Sequence, residues 1–192
     1  MKIILASKSI RRKELLKNIG LKFKVIESGV DEERFTGLFP GEFVKKVSLE
    51  KAKEVYKKNK DSVIIAADTI VVLGSEIIGK PKDKKDAERI LNKLSGKTHE
   101  VITGFTILSS NKLISKLVES KVTFKKLSKE EISAYVNTNE PMDKAGAYGI
   151  QDRASVFVEK LEGDFFNVVG LPIFAVVKQL KNFKVEIYDF WH

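Results

Sequence analysis

The chain has no cysteine, and its 192 residues include only two histidines, two methionines and two glutamines. Without cysteine there is no disulfide framework, no thiol nucleophile and no thiolate zinc site. Two histidines argue against a histidine-based metal centre. Long apolar runs are also missing, since none approaches the ~18 residues that a membrane-spanning helix needs. The opening MKIILAS is too short for a signal peptide, and a charged helical pattern follows it at once. A soluble, cytoplasmic protein with no membrane partner is the expectation. Arginine is scarce as well, five against 30 lysines.

What is present is a normal globular composition, 43% hydrophobic, enough for one core and a single domain over residues 1–192. The 35 basic and 26 acidic residues leave a net charge of +9. That balance favours an anionic partner, whether nucleic acid, nucleotide or anionic surface. A solvated Lys- and Glu-rich surface, of the kind common in thermophiles, accounts for most of it. In a chain so free with lysine, the arginines are the informative cations.

Periodicity outlines the elements. Ile3 to Ala6 reads as a short buried strand, followed by a helix with Leu15, Leu16 and Ile19 on one face that stops at Gly20. Phe23 to Ile26 reads as a second strand. A helix beginning near Pro40-Gly41 places Val44, Val47, Ala52 and Val55 on one side. Val63 to Ala67 is the most β-like run; Asp68-Thr69 interrupts it before Ile70 to Leu73, and Gly74-Ser75 turns the chain into Ile77-Ile78. Asp83 caps a helix that ends at Gly96. Val101 to Leu108 and Leu113 to Phe124 form two long strands around a turn, and Ser128 to Glu131 is a capping box. Val156 to Leu161 and Val185 to Tyr188 read as strands, and Leu171 to Leu180 as a helix. Long hairpins mixed with alternating helices predict an α/β fold with a long mixed sheet and flanking helices.

Several clusters can carry chemistry. Ser7-Lys8-Ser9-Ile10-Arg11-Arg12 lies between a strand and a helix, where backbone N–H groups and the helix dipole attract anions and paired guanidiniums grip phosphate. Taken alone, Ser9 as a plain cap beside solvated arginines explains the pattern equally well. Asp68 is a lone carboxylate in an apolar strand; it is costly to bury as a charge, so a strand end or bulge is expected for it. There it would ligate a divalent cation or accept a proton from water, or simply cap local backbone. Glu32 is a second carboxylate on a loop. Lys80 sits in a rigid Gly79-Lys80-Pro81 turn and suits a phosphate, although a surface lysine is the simpler reading. Glu140 to Gln151 reads as an ordered loop held by an Asp143–Lys144 pairing, with an amide at Gln151 able to read a base edge. Phe165 and Phe166 are expected to pack, and His99 to be structural.

Taken in order, these segments resemble the Maf family of nucleoside triphosphate pyrophosphatases, also called septum-formation inhibitors. The resemblance covers nearly the whole chain. It rests on Ser7 to Leu16, Glu32, Glu50-Lys51-Ala52, Ala67 to Val71, Gly79-Lys80-Pro81, His99 to Gly104, Glu140 to Gln151 and Val169 to Pro172. It departs from many members at Ile10, where they carry proline; Pro at a first helical position is favourable but not required.

The resemblance implies a fold like that of inosine triphosphate pyrophosphatase, with two lobes around a deep cleft. It implies hydrolysis of a nucleoside triphosphate to monophosphate and pyrophosphate with Mg²⁺ or Mn²⁺, as nucleotide-pool cleaning with a link to division arrest. The family's catalytic Asp falls on Asp68, and the substrate-selecting positions fall on Arg11, Thr69 and Gln151. The ADT and YGIQ signatures are similar to the subfamily acting on dTTP and UTP. Asp68 and Glu32 would hold the metal, and Ser7, Arg12, Lys51 and Lys80 the phosphates. A homodimer is compatible with the family, and no residue pattern speaks to it. Two alternatives stay open. One is a pyrophosphatase for modified purines such as 7-methyl-GTP or ITP. The other is a non-enzymatic division regulator, against which the lack of interleaved aromatic and basic residues counts; no stable nucleic-acid complex is expected.

Overall fold

A computed structural model describes residues 2–191. The chain order is β1 (Lys2–Leu5), α1 (Ile10–Asn18), β2 (Lys24–Val25), α2 (Pro40–Lys57), β3 (Ser62–Leu73), β4 (Glu76–Ile78), α3 (Lys84–Leu94), β5 (Thr98–Leu108), β6 (Leu113–Phe124), α4 (Lys129–Asn137), β7 (Val158–Glu162), α5 (Phe165–Val169) and α6 (Ile173–Leu180). Short 3₁₀ turns fill several of the connections, among them Glu32–Phe35, Glu140–Asp143 and Ala145–Ala147.

The strands form one seven-stranded sheet in the order β2-β1-β3-β5-β6-β7, with β4 paired to β3. β1 runs parallel to both β2 and β3, whereas β3–β4 and β6–β7 are antiparallel. The sheet is therefore mixed, as the alternation of helices and hairpins predicts. The two-residue connection after β3 is a tight hairpin with Leu73 opposite Glu76, and Gly74 takes the left-handed φ of +64° that the turn requires. No helix among the described residues is long and apolar enough to cross a membrane.

The chain divides into two compact units. The first comprises Met1–Asp68, Thr103–Val118 and Gly170–His192. Its core contains Ile4, Ala6, Ile64 and Ala66 from the β1 and β3 segments, packed with Ala52 and Val55 of α2 and with Leu108. Alternate residues of a strand share a face, so Ile64, Ala66 and Asp68 all point to the α2 side of β3. Gly104 permits this packing to be close: a Cβ there would lie 2.5 Å from the carbonyl carbon and oxygen of Val44.

The second unit comprises Thr69–Ile102 and Glu119–Val169. α3 buries Ala87, Ile90, Leu91 and Leu94, and α4 buries Ile132, Tyr135 and Val136. The predicted capping box at Ser128 and Glu131 is present. His99 is 1% exposed, and its Nε2 lies 2.8 Å from the Tyr148 hydroxyl. The rings of Phe124 and Tyr148 meet it edge-on. Burial lowers its pKa from 6.5 to about 4, so it is a neutral core residue, as expected.

Four local expectations are corrected. β3 runs unbroken through Asp68 and Thr69, so Asp68 is not at a strand end. Phe165 and Phe166 remain 40% and 44% exposed, because the short α5 turns Asn167 and Val169 inward. Phe23 to Ile26 contributes only the two-residue β2, which pairs along one side with β1. Val185 to Tyr188 is not a strand; Ile187–Phe190 forms a 3₁₀ turn with Ile187 buried.

Candidate active site

Helix α2 buries Val44, Val47, Ser48, Lys51, Ala52 and Val55. These positions follow the 3–4 spacing of a core-facing stripe, so Lys51 occupies a place where a hydrophobic residue would normally sit. Opposite it on β3 is Asp68. The Lys51 Nζ donates to Asp68 Oδ1 at 2.8 Å and to Glu32 Oε1 at 2.6 Å. The side chains of Lys51 and Asp68 are 11% and 7% exposed, while Glu32 is 40% exposed. Glu32 begins a 3₁₀ turn whose N-cap Asp31 accepts the Glu33 N–H. The ammonium explains how Asp68 survives mid-strand: its charge is paired inside the core instead of being carried to an end. A buried ion pair adds little net stability compared with apolar packing, which makes this a place to look for chemistry.

The loop from β1 to α1 adds the remaining parts in this unit. Ser9 caps α1 by accepting the Arg12 N–H at 3.4 Å, and Ser7 Oγ accepts the Ser9 N–H at 3.2 Å. The Arg12 guanidinium ties three segments together. Its Nε donates to the Gly170 carbonyl at 2.7 Å, and one terminal nitrogen donates to the Ala67 carbonyl at 2.8 Å and to Ser7 Oγ at 3.3 Å. Burial lowers its pKa from the ordinary arginine value, an effect opposed by the charges of Asp68 and Glu32. Ile10 takes the first position of α1, 72% exposed, and the helix forms without proline there.

The structure thus brings Ser7, Arg12, Glu32, Lys51 and Asp68 together in the first unit; Arg11 follows Ile10 on α1. Thr69, Lys80 and Gln151 belong to the second unit. Thr69 follows Asp68 directly on β3, and Lys80 is exposed in its turn. Gln151 is exposed after the Ala145–Ala147 turn. Sequence reasoning missed three supporting elements: the carbonyls of Ala67 and Gly170 that anchor Arg12, and Gly104. Only Gly104 left a signal, as a glycine inside a strand marks close backbone approach.

Known proteins resemble the chain over nearly its whole length. Residues 2–183 match the Maf-like protein family. The chain is 47% identical over 186 residues to a dTTP/UTP pyrophosphatase of Bacillus anthracis (strain CDC 684 / NRRL 3495), covering 97% of each chain. It is 45% identical to a dTTP/UTP pyrophosphatase of Bacillus cereus (strain ATCC 10987 / NRS 248), covering 97% of this chain and 92% of that one. Among solved structures, the Staphylococcus aureus Ham1 protein has the same fold at 16% identity, with a TM-score of 0.53, over 95% of this chain and 99% of that one. With nearly the whole chain matched by one family and by relatives of almost equal length, the protein belongs to the Maf-like family.

Proposed function

We propose that the chain is a nucleoside triphosphate pyrophosphatase that hydrolyses dTTP and UTP to the monophosphate and pyrophosphate. The observation that carries this reading is the Lys51 ammonium held between Asp68 and Glu32, in a chain 47% identical to a dTTP/UTP pyrophosphatase. The paired carboxylates are hard oxygen donors. Among the described residues no group of three or more His, Asp or Glu is gathered for a metal. Such a sparse set fits Mg²⁺ or Mn²⁺, which take one or two carboxylates and complete their shell with water and substrate phosphates. Asp68 and Glu32 would hold that cation, whose chemistry when bound is to neutralise charge on the triphosphate oxygens.

In this reading Asp68 orients a water and takes its proton as the water oxygen bonds to the α-phosphorus. The bond from the α-phosphorus to the α–β bridging oxygen breaks, and pyrophosphate leaves with that oxygen. Ser7, Arg12, Lys51 and Lys80 bind phosphate oxygens. Lys51 has a particular part, since the ammonium that hydrogen-bonds Asp68 in the core also supplies a cation for the leaving group. Arg11, Thr69 and Gln151 hold the pyrimidine nucleotide. The test is a pyrophosphate-release panel of dTTP, UTP, CTP, ITP and 7-methyl-GTP with Mg²⁺ and with Mn²⁺. Preference for dTTP and UTP is expected, and silence across the panel refutes the reading.

A further inference from the structure

Lys144 lies outside the Lys51–Asp68–Glu32 cluster, and it is slightly more buried than Lys51, at 7% against 9% exposed. Its Nζ donates to the Glu140 carbonyl at 2.7 Å and to Asp143 Oδ1 at 2.8 Å, with Asp152 Oδ2 at 3.9 Å. The ammonium therefore joins both ends of the segment that precedes and contains Gln151. Its alkyl chain runs directly beneath Gly149: a Cβ there would lie 2.7 Å from Lys144 Cε and 2.6 Å from Asp152 Oδ2. A side chain there would have to displace the Lys144 chain or the Asp152 carboxylate.

The backbone between these anchors is strained. Gly146 and Ala147 take left-handed φ values of 71° and 58° in succession, and Ala147 is fully buried. A non-glycine residue holds such a conformation only where its surroundings enforce it. The conformation has a purpose in the fold. It aims the Gly146 N–H at the Gly79 carbonyl, 3.0 Å away, and Gly79 immediately precedes Lys80. Gly146 also packs so tightly on Val71 that a Cβ would meet its side chain at 2.8 Å. One buried ammonium thus fixes a strained segment that carries Gln151 and braces the turn that carries Lys80.

We propose that Lys144 is a positioning residue for nucleotide selection, holding the Gln151 segment and, through Gly146, the Lys80 turn in the geometry that receives a pyrimidine triphosphate. The inference rests on the function proposed above and adds a residue to it. It also explains why the charge is buried, because an apolar side chain would fill the same space without bridging Glu140, Asp143 and Asp152.

The test combines kinetics with amide exchange in Lys144→Met, Lys144→Arg and Gly149→Ala. In Lys144→Met, KM for dTTP should rise at least tenfold with a smaller fall in kcat, and preference for dTTP over CTP should drop about tenfold. Exchange at Gly146 should accelerate at least tenfold while α4 keeps its protection. Lys144→Arg should restore much of the preference, and Gly149→Ala, which keeps the ammonium but displaces its chain, should resemble Lys144→Met. Unchanged preference in a folded Lys144→Met protein overturns the proposal, even if exchange rises, because the anchor is then purely structural. If Lys144→Met does not fold, Lys144→Arg and Gly149→Ala decide by the same ratio. If the wild type cleaves no triphosphate, the functional reading itself has failed, and unchanged exchange at Gly146 would separately remove the anchor.

Discussion

Replacing Lys51 by methionine keeps most of the side-chain volume and removes the ammonium. Asp68, 7% exposed and 2.8 Å from that ammonium, loses its hydrogen-bonded cation in the core and keeps only the charge interaction with Arg12. Removing one partner of a buried pair costs about 3–5 kcal/mol. The three members of the cluster should then rank in a fixed order. Glu32 is 40% exposed and keeps access to water, so Glu32→Gln should cost under about 1 kcal/mol. Asp68→Asn leaves Lys51 its contact with Glu32 at 2.6 Å and should fall between, at about 1–3 kcal/mol. Urea unfolding at neutral pH reads these differences directly. For a slope of about 2 kcal/mol per molar, Lys51→Met lowers the midpoint by about 1.5–2.5 M with the slope unchanged. The double variant Lys51→Met, Asp68→Leu removes both charges and should be more stable than Lys51→Met alone. A Lys51→Met midpoint within about 0.5 M of wild type, or a Glu32→Gln cost equal to that of Lys51→Met, would show that the cluster is not the buried pair described.

His99 has a folded pKa of about 4, below its ordinary 6.5, so between these values the unfolded chain binds a proton that the folded chain refuses. Stability should fall by about 3 kcal/mol as pH drops through that window and level off below it; denaturation curves of His99→Phe should lack this component. Gly104→Ala places a methyl 2.5 Å from the Val44 backbone and must push α2, with Lys51, off the sheet. A destabilisation of about 1–3 kcal/mol is expected, together with a fall in turnover. Asn167, fully buried, donates to the Val101 carbonyl and to Ser120 Oγ, each at 2.9 Å. Asn167→Ala removes both donations, although Ser120 Oγ keeps its bonds with Asp164, and should cost about 1–3 kcal/mol by thermal or chemical unfolding.

Much of this was legible in the sequence, for identifiable reasons. Caps and turns obey local chemistry, so Ser9, Asp83, Ser128 and the Gly74 turn fall where their residue types place them. The long strands and α2 follow from apolar periodicity. Asp68 was recognisable as anomalous, but its mid-strand position was not, because the compensating charge comes from Lys51, 17 residues away on another element. The signal was available in principle as a lysine on the apolar stripe of α2. Phe165 and Phe166 misled because hydrophobicity alone does not say which side of a five-residue helix faces inward. Arg12 reads as a phosphate ligand from its place beside a helix start, yet its tie to Gly170, 158 residues distant, belongs to tertiary structure alone. The same holds for Lys144, whose pairing with Asp143 was visible while its burial under Gly149 was not.

Turnover of dTTP in ¹⁸O-labelled water, with mass analysis of both products, shows whether water attacks the α-phosphorus with Asp68 accepting its proton. One labelled oxygen in the monophosphate, unlabelled pyrophosphate, and loss of turnover in a folded Asp68→Asn protein are expected. Label in the pyrophosphate, release of orthophosphate in its place, or near-wild-type turnover without the Asp68 carboxylate would refute this chemistry.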